Sequence, residues 1–239
     1  MPNWIYYIIA ALLAYLIGSF SSSYVISRIK KVDLKKTATQ NLGASNTTVV
    51  LGWRYGVLVG AADIAKGALA VLLVRFALPA VTGVPLAELP GIAYLAAACA
   101  VLGHIFPFYL KFRGGKGFAT YIGVIAGLHF PVAVVLAVAI ISLALITNYI
   151  VVGTFTTVVC FPIFVFVYKG EWYSALFMAA ASIVVIVKHW ENIVRIKNGT
   201  EGKVRKLFGK GHRERAQETA RELEATRKPK DAEEMKEEA

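Results

Sequence analysis

Cysteine is scarce in this chain of 239 residues: there are two, Cys99 and Cys160, each inside an apolar stretch. Two thiols so placed behave as small hydrophobes and supply neither a disulfide framework nor a set of metal ligands, so no structural metal or cofactor is expected. Acidic residues are also few, 15 against 26 Lys and Arg, for a formal charge of +11. Charged residues make up only 17% of the chain, hydrophobic ones 57%, and the mean hydropathy is +0.59. A water-soluble core cannot hide so much apolar surface, which excludes an ordinary soluble enzyme. The first residues, Met1-Pro2-Asn3, carry no basic group, and no small-residue cleavage site follows. The first apolar span is therefore expected to be a retained anchor, not a removable signal. Nucleic acid is an unexpected partner, because its recognition needs a soluble basic module that the pattern leaves no room for.

What is present is an all-α integral membrane pattern. About seven apolar spans fit residues 4–26, 47–78, 92–109, 118–128, 131–146, 149–168 and 173–190. The fourth is about half a membrane thickness and is expected to tilt or sit behind protein. Lys and Arg collect in alternate connections: Arg28, Lys30, Lys31, Lys35 and Lys36, then Lys111, Arg113 and Lys116, then Arg195 onward. The positive-inside rule makes these cytoplasmic, with the N-terminus outside and the C-terminus in the cytoplasm. Two regions are expected, a membrane domain over 1–202 and a charged cytoplasmic tail over 203–239. The tail is basic through Lys210, His212, Arg213 and Arg215 and acidic at Glu233, Glu234, Glu237 and Glu238. It reads as a solvated helix or disordered chain, with contact to anionic lipid as the second reading.

Three polar islands interrupt the apolar pattern, and the topology puts all of them on the cytoplasmic face. They run over 40–46, over 103–117 and over 189–201. Scattered loops need no common side, whereas one site built from three loops does. In the middle island, Gly114-Gly115-Lys116-Gly117 joins glycine backbone to a point positive charge, the chemistry of an anion pocket for a phosphate group. It is not a Walker A loop: the upstream glycine spacing and the Ser or Thr after the lysine are missing, and no strand precedes it.

In the third island, His189 and Asn192 share a helical face at the membrane interface, followed by Gly199-Thr200-Glu201, and suit a polyol hydroxyl or its phosphate. His104, near the end of a span beside Pro107, reads equally as a packing residue and as a site residue. Asp63 and Lys66, one turn apart inside the second span, read first as a buried structural pair. Gly52, Gly56 and Gly60 recur every four residues and read as a close-packing face.

Taken together, the islands resemble the three motifs of the bacterial acyl-phosphate:glycerol-3-phosphate acyltransferases, the PlsY family. The likeness is carried by Gly103-His104-Ile105-Phe106-Pro107 with Lys111-Phe112-Arg113-Gly114-Gly115-Lys116-Gly117. It is carried further by His189-Trp190-Glu191-Asn192-Ile193 with Asn198-Gly199-Thr200-Glu201, and by Asn41-Leu42-Gly43-Ala44-Ser45-Asn46. The resemblance implies a seven-helix membrane enzyme that moves an acyl group from acyl phosphate to the 1-hydroxyl of sn-glycerol 3-phosphate, giving lysophosphatidic acid without a cofactor. It also implies that His189, Asn192, Glu201 and Thr39 are catalytic, and that Gly114, Gly115, Lys116, Gly117, Asn41, Ser45 and Asn46 hold phosphate. Membrane lipids are the remaining partners, with a monomer compatible with the pattern.

The chain departs from the family pattern in places. Ala38-Thr39-Gln40 stands where the family has glycine, serine, glycine, and Val49 stands where it has arginine. Asn148 lies where an arginine is usual nearby, and Val151 replaces a serine. Fewer cations and hydroxyls imply weaker substrate affinity, or a second reading: a diverged relative that acylates another phosphorylated polyol or binds lipid phosphate without turnover. A small transporter is a third reading, but it predicts inverted repeats and charges lining a midplane path, and neither is present in the pattern.

Overall fold

The computed structural model describes residues 2–37 and 39–207. The expectation of a charged tail falls, from 208 onward, outside the described residues. The described chain is helical, without strands: α1 Asn3–Ser19, α2 Ser22–Ile29, α3 Ala44–Leu51, α4 Trp53–Leu72, α5 Leu78–Thr82, α6 Ile92–Ile105, α7 Phe118–Leu128, α8 Phe130–Thr147, α9 Ile150–Lys169, α10 Trp172–Lys188, α11 Trp190–Lys197 and α12 Val204–Leu207. A π-helical turn, Leu73–Ala77, joins α4 to α5.

Among the described residues, five segments are long and apolar enough to cross a membrane: Asn3–Ile29, Trp53–Thr82, Ile92–Leu110, Phe130–Thr147 and Ile150–Tyr168. A sixth forms if α10 and α11, bent by 40°, count as one span. The remaining sequence-predicted span, α7, has 11 residues and cannot cross a hydrocarbon core of about 30 Å. It sits instead behind protein, with Tyr121, Val124 and Ile125 fully buried.

Two expected spans are broken. The first is interrupted at Phe20 and Ser21, where the Ser21 hydroxyl accepts from the Tyr24 N–H and starts α2. The second does not run unbroken from Thr47: Gly52, at φ 92°, separates α3 from α4. Gly52 is thus a hinge and no part of a packing face, and nothing lies where its Cβ would be. Gly56 and Gly60 do pack as expected, against Thr48 and Ala44 of α3.

Helices in lipid gain little from hydrophobic exclusion and associate through close backbone approach. Two pairs do so here. A side chain at Gly18 of α1 would collide with the Ala100 carbonyl of α6, and one at Gly123 of α7 with the Ile64 carbonyl of α4. The central core, including Val101, Tyr121, Phe161 and Met178, lies between these pairs and α9–α10. A smaller core of Leu34, Leu42, Val50 and Leu110 sits beneath the first polar island and ties it to α3 and to the 3-10 turn Phe108–Leu110.

Candidate active site

The helix ends gather at one pole. Tyr15 of α1 donates to the Phe106 carbonyl past α6 at 2.7 Å, and the Tyr109 hydroxyl donates to the Ser19 carbonyl at 2.8 Å. The Phe118 ring at the start of α7 meets the His189 ring edge-on, centroids 6.4 Å apart. The Leu42 carbonyl of the first island lies against Gly115 of the second, so the three islands lie together.

His189 stands in the joint between α10 and α11. Its N–H reaches the carbonyls of both Val185 and Ile186 at 3.0 Å, which closes α10. Its ring Nδ1 lies 2.8 Å from the Val185 carbonyl. A carbonyl only accepts, so the proton sits on Nδ1 and the lone pair of the neutral ring is on Nε2. Phe118 and Phe155 wall the ring, which is buried.

From the next helix a chain of polar contacts crosses to the glycine loop. Lys116 Nζ donates to Asn192 Oδ1. Asn192 Nδ2 donates to Glu201 Oε1 at 2.7 Å, and Arg195 Nε donates to Glu201 Oε2 at 2.7 Å. Glu201 comes back to this face because Gly199, at φ 71°, turns the chain, and the N–H groups of Thr200 and Glu201 close α11 on the Arg195 carbonyl. Glu201 thereby fixes which end of the Asn192 amide faces Lys116. Burial pushes the Lys116 amine below the ordinary lysine range, and the Arg195 charge pushes the same way against Glu191 and Glu201. An ammonium held at reduced charge stability gains most from an incoming anion.

The glycine loop differs from expectation in one respect. The N–H groups of Gly114 and Gly115 donate to the carbonyls of Ile105 and His104, at 3.0 and 3.2 Å, because the loop folds back on the end of α6. They are not open to a phosphate. The glycines serve close packing: a Cβ on Gly114 would strike the His104 carbonyl, and one on Gly115 would strike the His104 ring and the Leu42 carbonyl. Gly117, at φ 90°, then turns the chain into α7. Among the described residues the backbone amides of Lys116 and Gly117 have no protein acceptor.

Asn46, expected to hold phosphate, is fully buried: its Oδ1 accepts from the N–H and hydroxyl of Thr39, at 3.0 and 3.1 Å, and its Nδ2 donates to the Leu34 carbonyl at 2.8 Å. It organises the first island. Among the described residues, exposed Thr39 makes no hydrogen bond to the other two islands, and the side chains of Asn41 and Ser45 make no hydrogen bond. Gln40, in the glycine position of the family pattern, adopts φ 53°, a left-handed conformation that glycine enters without strain.

Val49 is exposed on α3, Val151 is buried, and Arg54 lies over the Trp53 ring. At Asn148 a cation arrives from downstream. Val204 and Arg205 bond its carbonyl and side-chain oxygen through their N–H groups, and Arg205 Nη2 lies 3.3 Å from the Leu145 carbonyl. Sequence reasoning placed Arg195 among the cytoplasmic basic residues but missed its grip on Glu201. The pairing of Lys116 with Asn192, from islands far apart in the chain, carried no local signal. Asp63 and Lys66 do form the expected buried pair, at 2.7 Å. Among the described residues no three of His, Cys, Asp and Glu come together as a metal-binding group.

A bundle of long apolar helices with its polar loops gathered at one pole defines an integral membrane protein. A family model described as Glycerol-3-phosphate acyltransferase matches residues 8–199, and the chain belongs to that family. The chain is 39% identical over 207 residues to the glycerol-3-phosphate acyltransferase of Clostridioides difficile, covering 83% of this chain and 95% of that one. It is 33% identical over 206 residues to glycerol-3-phosphate acyltransferase 1 of Oceanobacillus iheyensis, covering 86% and 98%. In structure it is similar to crystalline PlsY, an integral membrane glycerol 3-phosphate acyltransferase. The glycerol 3-phosphate form matches with TM-score 0.72 and 31% identity over 85% of this chain and 99% of that one. The lysophosphatidic acid form matches with TM-score 0.69 over 82% and 94%.

Proposed function

We propose that this chain transfers an acyl group from acyl phosphate to the 1-hydroxyl of sn-glycerol 3-phosphate, releasing lysophosphatidic acid and inorganic phosphate. The observation that carries the reading is the Lys116–Asn192–Glu201–Arg195 chain, whose Asn192 N–H bonds the His189 carbonyl at 2.9 Å, with the His189 Nε2 lone pair available. The hydroxyl oxygen attacks the acyl carbonyl carbon, and the carbon–oxygen bond to phosphate breaks with its electron pair on phosphate. The hydroxyl proton passes through His189 Nε2 to the departing phosphate. An acyl phosphate is already activated, so the protein has mainly to position two anions and neutralise them, and Lys116 and the amides of Lys116 and Gly117 supply that charge. Thr39, Asn41 and Ser45 face the same pole from the first island, with Glu201 and Asn46 as positioning residues.

The site lies on the cytoplasmic face of a bacterial cell membrane, a reading supported by the basic residues that flank all three islands. One substrate then comes from the bilayer and the other from the cytosol. The catalytic unit is residues 1–202, and the tail begins at 203, next to Val204 and Arg205, which bond Asn148.

The test is acyl transfer by purified protein to labelled glycerol 3-phosphate from three donors: acyl phosphate, acyl-CoA and acyl carrier protein. Labelled lysophosphatidic acid from acyl phosphate alone is expected. Product from a thioester donor instead would overturn the donor assignment, and product from another phosphorylated polyol would overturn the acceptor.

A further inference from the structure

Lys66 Nζ has three acceptors at hydrogen-bond distance: Asp63 Oδ1 at 2.7 Å, the Phe20 carbonyl at 2.6 Å and His104 Nδ1 at 2.8 Å. An ammonium has three protons and no lone pair, so this set satisfies it completely. Asp63 Oδ1 accepts in addition from the Ser22 hydroxyl at 3.3 Å. Buried charges persist where they are paired and hydrogen-bonded, and the cluster joins α1, α2, α4 and α6. A consequence follows for His104. Its Nδ1 accepts from Lys66, so its proton is on Nε2. The ring is 6% exposed, and among the described residues Nε2 has no hydrogen-bond partner. Nε2 lies against Gly115, where a Cβ would overlap it, one residue before Lys116.

We infer that His104 is a further phosphate-binding residue of this site, held by the buried Asp63–Lys66 pair in the Nε2–H tautomer so that its N–H donates to a phosphoryl oxygen beside the glycine loop. The inference rests on the function proposed above. Asp63 and Lys66 are positioning residues that act through the ring. His104 and His189 are then complementary, one ring presenting an N–H and the other a lone pair, each set by what its Nδ1 meets. Both substrates carry a phosphoryl group, and kinetics separate them.

The experiment combines kinetics with nitrogen NMR of the full chain labelled at histidine, in detergent, titrated with inorganic phosphate. Wild type is expected to show His104 as the Nε2–H tautomer, with a resonance that moves on adding phosphate. The paired change Asp63→Asn with Lys66→Met removes both charges without leaving one unpaired, and is expected to give a mixture of tautomers. His104→Leu is expected to raise KM for glycerol 3-phosphate or for acyl phosphate by about tenfold, the loss of one hydrogen bond to a charged group, with a much smaller change in kcat. Whichever KM moves names the phosphate. His104→Gln, which keeps an N–H at similar reach, is expected to recover most of the loss. A folded His104→Leu protein with both KM values unchanged, or a wild-type ring with no proton on Nε2, or one blind to phosphate, overturns the inference. Should His104→Leu not fold, the wild-type titration and the His104→Gln kinetics decide it. Absence of acyl transfer by wild type would instead remove the proposed function, while the phosphate titration would still judge His104.

Discussion

The two poles of the molecule use polar residues in opposite ways. At the pole away from the islands, a cavity of about 250 Å³ is lined by Arg75, Tyr94, His129 and Glu171, among others. Its charged and polar groups are turned on the protein itself. Arg75 donates to the carbonyls of Gly127 and Leu128, at 2.6 and 2.9 Å, closing the end of the half-length helix α7. The Tyr94 hydroxyl meets His129 Nε2 at 2.6 Å, and Glu171 accepts from Ser174 at 2.9 Å. At the island pole, groups from distant loops are tied to one another and leave unused valences: Nε2 of His189, Nε2–H of His104, two backbone amides, and the hydrogen-bonding capacity of Asn41 and Ser45. The groups lining this cavity are therefore structural, whereas the island pole keeps donors and acceptors for a ligand.

Breaking the island pole should be the costlier change. Lys116→Ala removes the side-chain cation that bonds Asn192, and kcat/KM is expected to fall by about 10²–10³-fold, as for loss of one charge-stabilising donor, in a steady-state assay. Glu201→Gln keeps the shape but loses the charge that holds Arg195. Turnover is expected to fall by about tenfold, with Asn192 free to rotate.

At the other pole, Arg75→Ala leaves the last carbonyls of α7 without donors. Thermal unfolding in detergent should show a loss of about 2 kcal/mol, while activity per folded molecule stays near wild type.

The pH profile sharpens the contrast. Lys116 titrates below the ordinary lysine range because burial and Arg195 disfavour its charge. As pH rises through that lowered value the ammonium is lost, so KM for the phosphate substrates should begin to rise at lower pH than an ordinary lysine would give. Lys116→Arg, charged throughout, should carry that limb upward. Without an anion the sign is reversed: between the folded and unfolded values the unfolded chain binds more protons, so this group makes stability increase with pH. The smallest effect is expected from Gln40→Gly, which relieves a left-handed residue. Its gain is about 1 kcal/mol or less, since the unfolded chain also gains freedom, and is read from the unfolding midpoint.

Much of the fold was legible in the sequence because lipid imposes a simple rule, long apolar helices with basic residues at one pole. The breaks at Phe20 and Gly52 were not legible, since hydropathy is blind to a change of direction within an apolar run. In the site, Lys116, His189, Asn192 and Glu201 could be picked out by residue type and spacing. What the spacing could not tell was where backbone donors go. The amides of Gly114 and Gly115 looked like phosphate ligands, and they are consumed by α6 because the loop folds back on it. Asn46 looked like a ligand for a similar reason, and its amide is spent on Thr39 and Leu34. The partner of His104 was equally hidden, since Lys66 is one helix away in space and 38 residues away in sequence.

The central claim is that the second and third islands form one acyl-transfer site, and a single comparison tests it most directly. Acyl phosphate and labelled glycerol 3-phosphate are supplied to membranes carrying wild type, Lys116→Ala or His189→Ala at equal amounts of folded protein. Labelled lysophosphatidic acid from wild type, lost in both variants, is the predicted result. Product formation that survives either substitution would contradict the claim.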